Sequence, residues 1–255
     1  MMFARKALIA ALLALCAGPA TVSAQTTSTA PTTAAAVLPA DSPIRKQFAD
    51  LASDDPNRRS DAREKLMGMS ADDLPALKSL VEQSAPVTQS QIAALRSVVA
   101  HVYLASEKTD VYPGMAFLGI RWLTAENPPR LGVTVDQLSP GFPSYVALRE
   151  GDLILSVIYD PSKPLDRLPN KPTPTRAQLT GEIATSGPGA TLNLAIIRHG
   201  EPMQIHVNVI ARPRGLPASS LNGQDEIDQF FRERQERADA YWQSKFAPIL
   251  SASDK

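Results

Sequence analysis

Three observations predict an α+β protein for this chain of 255 residues. Apolar residues recur at helical spacing through several stretches between Ser42 and Ala105, which gives a helical segment over 42–108. From Tyr112 to Arg212, short apolar runs separated by glycine and proline turns read as a β-rich domain that holds two short helices. After Gly223 a charged segment carries its aromatic residues near one stripe, as an amphipathic helix does, so 213–255 is read as a helical tail.

The front of the chain reads as an address. Met1 to Lys6 is a short basic head, Ala7 to Ala17 an apolar run, and Val22-Ser23-Ala24 a small-x-small cleavage pattern, so residues 1–24 are expected to be a removable export signal. The apolar run falls short of the roughly 20 residues that span a bilayer, and no later stretch is apolar enough for a transmembrane segment. The expected location is therefore exported, periplasmic or secreted. The one cysteine, Cys16, follows Leu15 where a lipoprotein signal needs a small residue, which argues against lipid anchoring. Cleavage after Ala24 leaves a mature chain without cysteine, and with it go disulfides, thiolate catalysis and thiolate metal sites. Residues 25–41, rich in Thr, Ala and Pro, read as a flexible tether.

In the helical segment, Ser42-Pro43 starts a helix of about ten residues bearing Ile44, Phe48 and Leu51. Asp55-Pro56 repeats that start signal for a second helix to Met67, with Ala62 and Leu66 on one face. Leu74, Leu77, Leu80 and Val81 mark a third, whose start is open: Ser70 is a good cap, yet Pro75 cannot donate a hydrogen bond once a helix is under way. Ile92, Leu95, Val98, Val99, Val102 and Tyr103 form the stripe of a fourth, from Ser90 to about Ala105. The order of these helices resembles a HEAT-type repeat, and it fits an ordinary small bundle equally well. Either arrangement offers a surface for contacts rather than chemistry.

The β-rich domain has its parts in a recognisable order. Phe117-Leu118-Gly119-Ile120 precedes a strand at 132–135; Ser139-Pro140-Gly141 leads into a short helix over 144–148; Gly151-Asp152 introduces the apolar strand 153–157. A helix over 175–186 follows, with Thr175 and Gln178 at capping-box spacing and Gly187 at its stop. The closing hairpin joins 191–197 to 203–210, and its second arm alternates Met203, Ile205, Val207 and Val209. This order, over about 100 of the 255 residues, resembles a PDZ domain of the bacterial HtrA-like type.

The resemblance implies a partly open β-barrel or sandwich with two helices that binds peptide C-termini or extended segments by strand addition. Phe117, Leu118, Gly119 and Ile120 stand where that family places the amides receiving a terminal carboxylate. Arg121 and Trp122 continue into the edge strand. Leu179 and Ile183, one turn apart, share a helix face that either lines the groove or points into the core. Asp152 is expected to hold a structural turn. Tyr159 to Pro174, with five prolines, reads as a surface loop at the end of the groove, longer than the family's usual connection.

The tail stripe of Ile227, Phe230, Phe231, Ala238, Tyr241, Trp242 and Phe246 needs a cover, from this chain, a second copy or another partner. A membrane surface fits less well, because the polar face mixes Asp and Glu with Arg. The formal net charge of zero gives no electrostatic footprint for nucleic acid. No nucleophile elbow, zinc-helix motif, phosphate loop or dinucleotide fingerprint occurs, and neither enzymatic activity nor a cofactor is expected. A Ser/His/Asp protease would need a further domain, so the HtrA-like resemblance covers the binding module alone. The leading expectation is an exported, non-enzymatic peptide-binding protein. The alternatives are a structural or assembly protein associating through helices and tail, and an accessory subunit of a separate envelope protease.

Overall fold

The computed structural model describes residues 39, 41–84, 86–122, 132–158, 171–172, 175–216 and 224–252. The expected export signal, most of the tether and nearly all of the proline-rich loop lie outside them. They form a mixed fold of helices and antiparallel sheet, with the sheet curled into a half-barrel.

The helices begin where backbone chemistry allows. In α1 (Pro43–Asp50) and α2 (Pro56–Met67) a proline takes the first position, and the Asp55 carboxylate accepts the Asn57 amide at 2.9 Å. Both start signals of the third helix are used. Ser70 and Asp73 form a capping box around a 3-10 turn, Ala71–Asp73, and α3 (Leu74–Gln83) follows with Pro75 in its first turn, where no donor is missed. A second capping box, Thr88 with Gln91, opens α4 (Gln89–Ser106).

Phe48, Leu66, Leu77, Leu80, Leu95 and Val99 meet in one core, and Trp242 and Phe246 from the far end of the chain belong to it. Those two come from the end of α7 (Gln224–Lys245), which packs along α4, and from the junction with α8 (Ala247–Ala252). The tail stripe is thus covered, in its second half, by this chain. Each such buried apolar side chain stabilises the fold by about 1.5–3 kcal/mol relative to exposure. Pro248 lacks the N–H to continue α7, and the helix stops at Lys245 and restarts.

In the β-rich part, β1 (Val111–Phe117) pairs antiparallel with β8 (Ile210–Pro213), so the two ends of the domain are joined. A six-stranded sheet has the order β2 (Ile120–Trp122), β3 (Val133–Leu138), β4 (Leu153–Ile158), β6 (Thr191–Arg198), β7 (Glu201–Asn208), with β5 (Lys171–Pro172) pairing β4 off this path. The two short helices are α5 (Ser144–Ala147) and α6 (Arg176–Ser186). The Thr175–Gln178 capping box forms. Along β7 and just past its end, Val207 and then Val209 are buried while His206 and Asn208 face outward, so the alternation of the sequence becomes two faces. Arg198 pairs with Glu201 across a two-residue loop, His199 at φ 53° and Gly200 at φ 88°, the left-handed pair that a type I′ hairpin requires.

Candidate functional site

Among the described residues β2 is the end strand of its sheet: it pairs with β3 on one side, Ile120 opposite Leu138 and Arg121 opposite Gln137. An end strand leaves one row of backbone donors and acceptors for another chain to meet. Immediately before it, Leu118-Gly119 turns the chain out of β1, with Gly119 at φ 76°, a conformation an L side chain adopts only with strain. Helix α6 packs against β1 on the approach to this turn.

The side chains expected at the site divide by position. Leu118 (1% exposed), Ile120 (7%), Leu179 (0%) and Ile183 (5%) all lie in one core cluster with Val135, Leu148 and Ile154. The face of α6 that bears Leu179 and Ile183 therefore points into the domain core, and residues such as Ala177, Thr180, Gly181 and Ala184 form its exposed side. Arg121 and Trp122 lie in β2 by their backbone. Phe117 closes β1 and meets the ring of Phe142 edge-on at 5.3 Å.

Phe142 is the residue that sequence reasoning passed over. A Cβ built on Gly119 would lie 2.4 Å from the Phe142 Cβ and Cγ, so the glycine is demanded by this packing as well as by its φ. Phe142 is in turn held by α7. The Arg234 guanidinium lies over its ring at 4.8 Å and over that of Phe230 at 5.8 Å, and Phe231 meets it edge-on at 6.2 Å. The local sequence Pro140-Gly-Phe-Pro reads as a turn, and its one aromatic residue was the available signal.

Arg234 is buried, and burial pushes its guanidinium below the usual arginine range while Glu107 acts in the opposite sense. Its charge is met by Glu107 at 3.3 Å and by the Leu104 carbonyl at 3.2 Å, both at the C-terminal end of α4. Arg237 adds a second pair to Glu107 at 2.8 Å. Between this region and β3 lies a cleft of about 310 Å³, lined by Gln137, Pro140, Phe231, Arg232 and Glu236 among others.

Two further polar groups hold turns in place. Asp152, 1% exposed, accepts the Arg149 amide at 2.7 Å and both Nε and Nη2 of Arg198 at 2.9 and 2.7 Å. It ties the β4 turn to β6, as the turn reading expected. That hydrogen bonding raises the Arg198 pKa. His101, on α4, accepts the Gly141 amide and stacks on Tyr145 at 5.5 Å. Burial first, then Arg63 and Arg234, lower its pKa from 6.5 to about 4. In the hairpin, His199 is a turn residue and His206 bonds Asn193 across the strands. Among the described residues no three His, Cys, Asp or Glu side chains converge as a metal site requires, and no helix is long and apolar enough to cross a membrane.

No protein-family model matches this chain, and no curated protein matches it. Among solved structures it is similar to the serine endoprotease from Yersinia pestis, with 22% identity over 38% of this chain and 29% of that one, at a TM-score of 0.29. It is also similar to the HtrA-type protease AlgW with tripeptide, at 18% identity over 39% of this chain and 32% of that one, TM-score 0.32. The same protease with decapeptide gives 17% identity over 49% and 35%, TM-score 0.31. The chain spans about a third of the length of these proteins. At these scores the likeness carries no functional argument.

Proposed function

We propose that residues 112–212 form a PDZ-like module that takes the C-termini or extended segments of other proteins by strand addition along β2, and that the chain works as an exported, non-enzymatic binding protein. The observation that carries this reading is that β2, an end strand among the described residues, starts directly from the left-handed Gly119 turn. A peptide added to that edge ends at the turn, where consecutive amides suit a carboxylate. Leu118, Gly119 and Ile120 would supply those amides, with Phe117 closing the strand before them. Arg121 and Trp122 would supply the ladder. The core beneath, with Leu179 and Ile183, is aliphatic and close-packed, so the last side chain of the peptide enters only where these residues give way. Small aliphatic termini are the ligands that ask least of them.

The test is a selection of the purified chain against peptide libraries with free C-termini and the same libraries amidated. Apolar terminal residues should be enriched from the free-acid library alone. N-methylation at alternate peptide positions should then abolish capture, because it removes ladder donors. Equal recovery from both libraries, or recovery insensitive to N-methylation, would overturn the proposal. Absence of turnover of captured peptides tests the non-enzymatic part.

A further inference from the structure

We infer that Phe142 and Arg234 are positioning residues for the Gly119 turn, so that the C-terminal helix sets the shape of the carboxylate end of the proposed site. What the turn receives rests on the reading above; the mechanical link stands on the packing alone. Phe142 occupies the space that a Cβ on Gly119 would need, and nothing flexible separates the ring from the turn backbone. The ring is clasped by Phe117 from β1 and by Phe231 and Arg234 from α7.

The clasp is anchored beyond the β-rich part. Arg234 is fixed to Glu107 and the Leu104 carbonyl on α4, and α7 runs on to bury Trp242 in the helical core. Gly141, beside Phe142, approaches so closely that a Cβ there would stand 2.4 Å from Arg234 Nη2 and 2.6 Å from Leu104 Cβ. Its amide is held by His101. The segment 141–142 is therefore held by α4 and α7 and is itself packed against the Gly119 turn. Well-packed contacts of this kind transmit displacement because they lack free volume to absorb it. A turn held in place before a carboxylate arrives spares the ligand the entropy of ordering it.

The test uses the full-length chain with Phe142→Leu, Arg234→Lys and, as a variant that keeps every buried carbon, Glu107→Gln. Arg234→Lys keeps the charge and loses the planar fork that lies over Phe142. Backbone order parameters at 118–120 are expected near the rigid value of about 0.85 in the wild type and to fall toward about 0.6 in the variants. The free-acid over amidated peptide preference should fall about tenfold, a loss of roughly 1.4 kcal/mol of discrimination. Strands β6 and β7 should keep their order parameters, which a general loosening would not permit. Unchanged order parameters and resonances at 118–120 in folded Arg234→Lys and Glu107→Gln would overturn the inference. A wild type that binds acid and amide alike would instead sink the carboxylate reading, while the order parameters still decide the positioning role.

Discussion

The imidazole of His101 accepts a hydrogen bond from the backbone amide of Gly141, with 3.1 Å between Nδ1 and the nitrogen. That bond needs an unprotonated Nδ1, and it joins α4 to the turn that carries Phe142. Protonation would set two donors face to face beside Arg63 and Arg234, in a site already shielded from water.

A pH dependence follows with a definite sign. The unfolded chain takes up a proton at His101 below its ordinary pKa of 6.5, whereas the folded chain does so only below about 4. The contribution is present in full above pH 6.5 and is lost as pH falls through that window, by about 2–3 kcal/mol at its lower end. Urea denaturation at pH 7.5 and 4.5 measures it. In His101→Gln the gap between the two pH values should shrink by that amount; an identical gap would refute the assignment.

Asp152 makes the second case. Replacing it by Ala leaves the buried face of Arg198 and the Arg149 amide without their acceptor. The expected cost is about 3 kcal/mol, the range for removing one partner of a buried charge pair. A loss below about 1 kcal/mol in chemical denaturation would mean that solvent replaces the carboxylate.

Phe246 is fully buried in the helical core although it lies near the end of the chain. Phe246→Ala should destabilise the helical part by about 3–5 kcal/mol. Thermal unfolding followed by circular dichroism should show helix lost at lower temperature. A variant that melts like the wild type would place the tail outside the core.

Ser144 at the start of α5 is fully buried, and its Oγ has no hydrogen-bond partner among the described residues. Burying an unsatisfied hydroxyl costs about 1–3 kcal/mol, so Ser144→Ala should be neutral or stabilising. Destabilisation by more than about 1 kcal/mol would reveal a bond that the hydroxyl makes.

Local chemistry was readable from the residues alone. A capping box is written within four residues, and Thr175 with Gln178 closed as written; Asp55 caps α2 ahead of Pro56, while at α1 the proline stands in the first turn and the Ser42 side chain makes no cap bond. Alternation along 203–209 stated which side chains share a face. Most elements along the chain and the turn at Asp152 were legible because each is a short-range pattern, whereas Lys171–Pro172, read as part of the proline-rich surface loop, pairs with β4 as a strand.

Tertiary structure decided what depends on partners far apart in the chain. Periodicity said that Leu179 and Ile183 share a face, and packing alone could say that the face is turned inward. The pairing of β1 with β8 joins residues about 100 positions apart, and Trp242 reaches a core begun at Phe48. Gly119 was legible as a turn, while its contact with Phe142, and through Phe142 with Arg234, was not. A sequence states which residues prefer to be buried and with what period. Which of them meet is settled by the close packing of the whole chain, where the space a Cβ would fill on one segment is already occupied by a ring from another.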